Sequence, residues 1–469
     1  MTRKTSRFRW WLLPLPLIGL LVLAEIVLRL AWQPPLLYES NFLLRPFYIA
    51  ETQDETSTTY VTHSAKPEEI FGQSGVPPKP MDPRQISPAR IRVPKKPGTV
   101  RVFLVGSSPI YGGPGLTRFS LSTYVGKYLA VARPAVEFEI IEAAAQQMSA
   151  DTLGEIIEEL AVLQPDFTLV YVGGAVPTLE APGSHETADA APILFKVANA
   201  IGRLYLVQVL GPSAQRSLKD AVLTVDNFLS PGDRHDNEIN MQKNMLEEAR
   251  RKMEDVYREM AVAAKRLPGQ TAFYEVVTDL AGSPPIWSLS FKKLDPEQSK
   301  RFFSSLKEAN EALANGQSTR AEAAARQALA IDDTYAEAHF VHGRALLELR
   351  RTEESYNAYD RARESDASHD RLFSAPRRQL AKALNENHLP LLPSDEAFRR
   401  NAEQGVPGPD LFRDITHPTP LGLAVLGHLG AAWILEHLPA PAGQTTPVLP
   451  SPHDLLVALP PPPPTELMP

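Results

Sequence analysis

The sequence predicts an α/β protein: a parallel sheet covered by helices on both faces, with an inserted helical module and an N-terminal apolar segment. Three observations lead there. Residues 100–105, 138–141 and 167–172 are short runs of branched and aromatic residues, the first and third ending in glycine. Between the second and third runs, Leu153, Ile156, Ile157 and Leu160 recur at helical spacing, and Gln164-Pro165-Asp166 closes the stretch. Strands alternating with helices at this interval are the pattern of βαβ units and of a parallel sheet. Residues 302–369 differ in kind: small residues there return at a constant offset, the mark of stacked helical hairpins.

The chain starts with a basic cluster, Arg3, Lys4, Arg7 and Arg9, followed by an apolar run over 10–24 that continues as an amphipathic stretch to Trp32. A span over 10–32 is long enough to cross the hydrocarbon layer, with the basic cluster on the cytoplasmic side. A cleaved signal peptide is the rival reading. No small-x-small site follows the run, and Glu25 and Arg29 stand where such a site needs small residues. We therefore expect a single-pass membrane anchor over 1–32, with the bulk of the chain outside the cytoplasm. Residues 33–97 carry Pro34, Pro35, Pro77, Pro78, Pro80 and Pro83 and read as an irregular stalk. The tail over 439–469 ends in the proline run 460–464 and is expected to be extended and disordered. The α/β domain then occupies 98–300 and 371–438, interrupted by the helical module at 301–370. Within it, 238–265 reads as a polar helix and 272–277 as a strand, whereas 193–210 fits helix or strand equally.

Bulk properties exclude several functions. At 469 residues the chain accommodates two to three compact units. A net charge of −7 leaves no basic field for a nucleic-acid backbone. The absence of cysteine rules out disulfides, thiol catalysis and cysteine metal sites. His339, His342, His369, His417 and His428 show no metal-ligand grouping, and those of the helical module are expected to face solvent. Gly112-Gly113-Pro114-Gly115 lacks the lysine of a phosphate loop. No metal or cofactor is implied.

The repeat is explicit in the residues. Ala309, Ala312, Ala321, Ala325 and Ala328 align with Gly343, Leu346, Ser355, Tyr359 and Ala362 at an offset of 34 residues. Small residues at these places let two helices of a hairpin approach closely. The passage AEAHFVHGRALLELRRTEESYNAYDRARESD resembles a tetratricopeptide repeat, and 302–335 is a weaker copy. Two repeats alone rarely make a stable solenoid, so the module is expected to pack on the α/β domain and to offer a surface to a protein partner.

Two remote stretches carry the candidate chemistry. VRVFLVGSSPIYGG places Ser107 and Ser108 at the exit of the first strand, where open α/β sheets bind ligands. Far downstream, Asp414-Ile415-Thr416-His417-Pro418 sets an acid three residues before a histidine, a spacing that can orient the imidazole and stabilise its protonated form. Together these stretches resemble the GDSL/SGNH hydrolase family, whose first block is a strand followed by Gly-Asp-Ser or Gly-Gly-Ser and whose last is DxxHP. The nearer resemblance is to a membrane-anchored subgroup with tetratricopeptide repeats inserted before the last block. KKPGTVRVFLVGSS, QPDFTLVYVGG, DRLFSAP and GVPGPDLFRDITHP follow that subgroup in order, over roughly residues 95–436.

The resemblance implies a flavodoxin-like, three-layer SGNH fold. It also implies a serine esterase or acyl hydrolase with Ser108 as nucleophile, His417 as base and Asp414 as orienting acid. The backbone N–H groups of Ser108 and Ala144 would hold the oxyanion, on an acylated polysaccharide or lipid of the cell envelope. Two positions depart from the pattern: EIIEAAAQQ has Ala144 where the family has glycine, and YVGGAV has Ala175 where it has asparagine. Losing one oxyanion donor costs about 2.7–4 kcal/mol. Either donors such as the Ser107 N–H, Gln146 or Gln147 substitute, or the domain is a catalytically degenerate scaffold that docks partners through its repeats.

Overall fold

The structure, a computed structural model, describes residues 48–54, 56–62, 89–111, 120–144, 150–173, 234–367, 374–439 and 447–458. The expected anchor over 1–32, the ambiguous stretch 193–210, the glycine loop 112–115, His369 and the proline run 460–464 lie outside these residues. Among the described residues no helix is long and apolar enough to cross a membrane.

Three strands come first: β1 (Tyr48–Gln53), β2 (Thr58–Thr62) and β3 (Arg90–Val93). They pair antiparallel in that order, which corrects the expectation of an irregular stalk over 33–97 for the residues of that range that are described. The physical reason is local. TTYVT is rich in β-branched residues, and the Asp54 carboxylate accepts N–H and O–H groups of both Thr56 and Ser57, closing the turn into β2. The prolines that suggested a stalk all fall outside the three strands. Tyr48 and Ile91 anchor this sheet by burying their side chains in the main core.

The main sheet is built from β4 (Thr99–Gly106), β5 (Glu137–Ala144), β6 (Phe167–Tyr171), β7 (Gln270–Tyr274) and β8 (Leu391–Leu392). All neighbours are parallel, in the order β5-β4-β6-β7-β8. The first four occupy the runs expected at 100–105, 138–141, 167–172 and 272–277. Counted from β4 the order is 2-1-3-4-5, a doubly wound arrangement whose direction reverses between β4 and β6.

Helices cover both faces. Helices α1 (Ser108–Tyr111) and α2 (Leu121–Ala132) follow β4, and α3 (Ala150–Glu159) runs on as a 3-10 turn, Leu160–Leu163, before β6. The long α4 (Arg234–Lys265) precedes β7. After β7 come α5 (Pro296–Ala314), α6 (Ser318–Ile331), α7 (Ala336–Glu348) and α8 (Thr352–Ser365), and then α9 (Ser374–Asn387) leads into β8. The last described elements are α10 (Ser394–Asn401), α11 (Pro420–His437) and α12 (Pro452–Ala458).

The central strands are apolar on both sides because both sides are covered. Phe103, Val105, Ile141, Val170 and Phe273 face α3, α4 and α9. Val102, Leu104, Leu169, Tyr171 and Tyr274 face α2, α10 and α11. Helix α11 approaches closely: a Cβ on Gly427 would lie 2.6 Å from Tyr124 Cβ, and one on Gly430 would strike the Tyr274 hydroxyl. That hydroxyl, buried, donates to the Leu426 carbonyl at 3.2 Å. Helix α12 corrects the reading of 439–469 as wholly extended. Its Leu455 is buried in the same core, so a short apolar turn of the tail finds a partner that composition does not reveal.

The inserted module is a pair of helical hairpins, α5–α6 and α7–α8, joined through α6 and α7. It starts at Pro296, slightly ahead of the expected boundary, because Asp295 and Gln298 form a reciprocal capping box. The aligned small residues do what their size suggests. Ala309, Ala312, Ala321, Ala325 and Ala328 are buried. A Cβ on Gly343 would lie 3.0 Å from the Tyr359 ring, and Ser355 Oγ donates to the Gly343 carbonyl at 2.8 Å. His339 and His342 are half-buried rather than solvent-facing. The first lies 2.8 Å from the Asp333 carbonyl through Nε2, and the second sits 3.7 Å from Glu322.

One buried cation ties the two sheets together. Arg101, on β4 and 1% exposed, bonds Glu139 on β5 at 2.7 Å, the Arg92 carbonyl on β3 at 2.7 Å, and the Leu163 carbonyl. Truncating one partner of a buried ion pair leaves its other groups desolvated and unpaired. We expect Arg101→Ala to destabilise the fold by about 3–5 kcal/mol in urea unfolding. A loss under about 1 kcal/mol would show that the arginine is not the tie described.

Candidate active site

Strand register brings three chain segments level at one edge of the sheet. Gly106 pairs with Ala144 on one side and with Tyr171 on the other, so the exits of β4, β5 and β6 align at the carboxyl end. That end, at the reversal of strand order, is where open α/β sheets form their binding crevice. Gly106 is required there by space. A Cβ would lie 2.6 Å from the Tyr171 carbonyl oxygen and 2.9 Å from Ile110 Cδ1. Gly173, just beyond β6, has φ +58°, a region that favours glycine, and a Cβ on it would lie 3.0 Å from Pro109 Cγ. The β6 exit therefore touches the residue immediately after Ser108.

Ser107 is buried and Ser108, the first residue of α1, is half-buried. The chain turns sharply between them, closed by the Ile110 N–H donating to the Ser107 carbonyl at 3.2 Å. Ala144 ends β5 and is fully buried. Ala175, Gln146 and Gln147, the other positions considered for oxyanion donors, lie outside the described residues.

Asp414 and His417 come together as their spacing implies. His417 Nδ1 lies 2.7 and 2.9 Å from the two Asp414 carboxylate oxygens. The backbone N–H groups of Thr416 and His417 also donate to Asp414, each at 2.9 Å. Burial would push the Asp414 carboxyl up, but the bonds from the His417 ring, the Thr416 N–H and the His417 N–H outweigh it and hold it well below the usual carboxylate range. An ionised Asp414 accepting at Nδ1 fixes the tautomer with a lone pair on Nε2, the form a general base needs. Nε2 makes no hydrogen bond among the described residues. Asp414 itself keeps 53% of its side chain exposed, more open than a buried orienting acid.

The loop carrying this pair is fixed at several points. Phe412 and Pro418 bridge, Arg413 N–H donates to the His417 carbonyl at 2.9 Å, and Thr419 N–H donates to the Leu411 carbonyl at 2.8 Å. Thr419 also caps α11 by accepting the Gly422 N–H at 3.2 Å. Ile415, between the acid and the base, packs onto the core that includes Val105 and Val172. Its carbonyl accepts the Asp279 N–H at 3.0 Å, which ties the loop to the chain leaving β7.

No hydrogen bond joins Ser108 Oγ to His417 among the described residues. Such bonds are often long in ligand-free enzymes and shorten when substrate binds. Sequence reasoning missed the role of Asp279. Its only signal is a single acid in the apolar stretch VVTDLAGS, in the chain that leaves β7.

Among the described residues no three or more histidine, aspartate or glutamate side chains gather as a metal site would require. We expect Gly106→Ala to lower unfolding free energy by about 1–3 kcal/mol through the clash with the Tyr171 carbonyl, measured by urea denaturation. A neutral substitution would mean that the β4 and β6 exits are not held at this distance. In comparisons with known proteins, no family model and no curated protein matches the chain.

Proposed function

We propose that the chain is a serine hydrolase of ester bonds, of the GDSL/SGNH type, with Ser108 as nucleophile, His417 as base and Asp414 as orienting acid. The observation that carries this reading is the paired Asp414 and His417, with no hydrogen bond to Nε2 among the described residues, on a loop whose Ile415 packs in the core that includes Val105 of β4. In the reaction Ser108 Oγ bonds to the ester carbonyl carbon while its proton passes to His417 Nε2. The carbonyl oxygen takes the negative charge, held by the backbone N–H groups of Ser108 and Ala144. Collapse breaks the ester C–O bond, and the leaving alcohol takes the proton from His417. Water, deprotonated by the same nitrogen, then releases the acid and frees Ser108.

An acylated envelope polysaccharide or lipid is the substrate class we propose, with the chain held at the membrane through 1–32 and the helical hairpins acting as tetratricopeptide repeats. A second reading has its own support. Ser108 and His417 share no hydrogen bond among the described residues, Asp414 is half exposed, and Ala144 replaces glycine. A catalytically degenerate scaffold with the same fold would look alike.

Labelling with a fluorophosphonate, which reacts only with activated serines, separates the two. The hydrolase reading expects labelled wild-type protein, no label on Ser108→Ala, and labelling at least about 100-fold slower on His417→Ala. Unlabelled wild-type protein would decide for the scaffold.

A further inference from the structure

The two hairpins meet where α6 packs on α7, and a carboxylate lies in that seam. Glu322 of α6 has a side chain only 12% exposed and sits among three basic groups. Arg326 of the same helix is 3.7 Å away, Arg351 at the start of α8 is 3.6 Å away, and His342 Nε2 of α7 is 3.7 Å away. Arg351 pairs with Glu354 as well. Two guanidiniums thus balance two carboxylates, and the cluster is neutral while His342 is uncharged. The His342 side chain is 19% exposed. Its Nε2 is buried and has no hydrogen-bond partner among the described residues, the Glu322 oxygen being too distant for one.

A second imidazole lies one turn earlier on α7. Half-buried His339 reaches the Asp333 carbonyl through Nε2 at 2.8 Å, in the turn that joins the two hairpins. That turn also holds the chain that crosses the hairpins after β7. Thr334 Oγ1 accepts the Phe291 N–H at 2.9 Å, and Lys292 pairs with Asp333 at 2.6 Å. Farther along, Ser288 Oγ accepts the Glu337 N–H at 2.9 Å. Asp366 accepts the N–H groups of Ile286 at 2.9 Å and Trp287 at 3.1 Å.

We propose that the seam between the hairpins is an acid-sensitive latch: protonation of His342 and His339 in mildly acidic solution loosens α6 from α7 and releases the chain over 284–292 from the surface it covers. Neither Ser108 nor His417 takes part. A proton on His342 puts a net positive charge into a half-buried cluster that has no spare carboxylate to meet it, and such a charge is costly to desolvate. The charged groups acting on His342 are Glu322 and Arg326 of α6, Arg351 and Glu354 at the start of α8, and His339. Those acting on His339 are Asp332 and Asp333 of the turn and Arg361 of α8. Burial lowers the pKa of both rings, outweighing the pull of Glu322 on the one and of Asp333 on the other.

The sign follows from proton linkage. Above the ordinary imidazole value of about 6.5, both rings are neutral in the closed and the opened seam, and the closed form keeps its full stability. As pH falls through that value the opened form binds protons first, so stability is lost until the lower midpoints of the closed form are passed.

Hydrogen exchange of the full chain at about pH 7.5 and about pH 5.5, corrected for intrinsic rates, tests the latch. Amides of α6 and α7, and those of Ile286, Trp287 and Phe291, should lose protection at the lower pH. The loss is up to about tenfold per pH unit for each proton taken up on opening. The double variant His339→Gln, His342→Gln is neutral at both values and should show no such loss. His428 on α11 is also lowered by burial but is unchanged in the variant, so its effect cancels in the comparison. Arg326→Gln, at an exposed side chain, removes one cation facing His342 and should shrink the loss without abolishing it. Equal protection of the wild-type hairpins at both pH values overturns the proposal. So does a loss that persists in the double variant, or one that leaves Ile286, Trp287 and Phe291 protected. If the double variant does not fold at the higher pH, Arg326→Gln decides, and an undiminished loss in it overturns the latch.

Discussion

The arrangement depends on the pairing of β4 with a parallel neighbour on each side. Because Gly106 sits in register with Ala144 and Tyr171, the exits of three strands lie level at one end of the sheet. Parallel pairing also forces the intervening chain across the sheet faces, so α2 and α11 lie on one face and α3, α4 and α9 on the other. Placing Ser108 at the reversal point is therefore a consequence of topology. Gly106 permits it, since any side chain there meets the backbone of β6.

The second requirement is to bring a late segment back to that edge. The loop from Leu411 to Thr419 is closed on itself by backbone bonds and seated by Ile415 in the core, while Thr419 starts α11. The Asp414–His417 pair thus comes from a short local motif, whereas its placement comes from packing. The inserted hairpins add to that placement. They grip the chain after β7, and that chain grips the loop through Asp279, so an insertion distant in sequence from both Ser108 and His417 is coupled to one of them. The two hairpins, few for a solenoid on their own, are fixed to the chain after β7 by these contacts.

One surface of the hairpins is already covered by the protein's own chain. Residues 284–291 lie along α7, bonded to Thr334, Glu337 and Asp366. A partner that used this surface would have to displace a segment held by several hydrogen bonds between backbone N–H groups and side-chain oxygens. The same segment leaves Ile286 and Trp287 partly exposed at its edge.

By itself the sequence determined what local chemistry and periodicity can determine. The strands at β4 to β7, the helix spacing of α3 and the 34-residue offset of the hairpins were legible, because burial on both faces of a strand or one face of a helix writes itself into residue order. The Asp414–His417 bond was legible too, since three residues of a tight loop suffice to form it. The tertiary structure alone decided the rest. The small sheet of β1 to β3 was hidden because its strands are short and prolines dominate the region around them. Helix α12 forms against α11, a partner that composition cannot name. The bonds of Asp279 with Ile415, Gly282 and Ser283 were invisible because each depends on how the chain folds around it. Long-range hydrogen bonds and burial leave no period in the sequence, and a single acid in an apolar stretch acquires meaning only when the fold surrounds it.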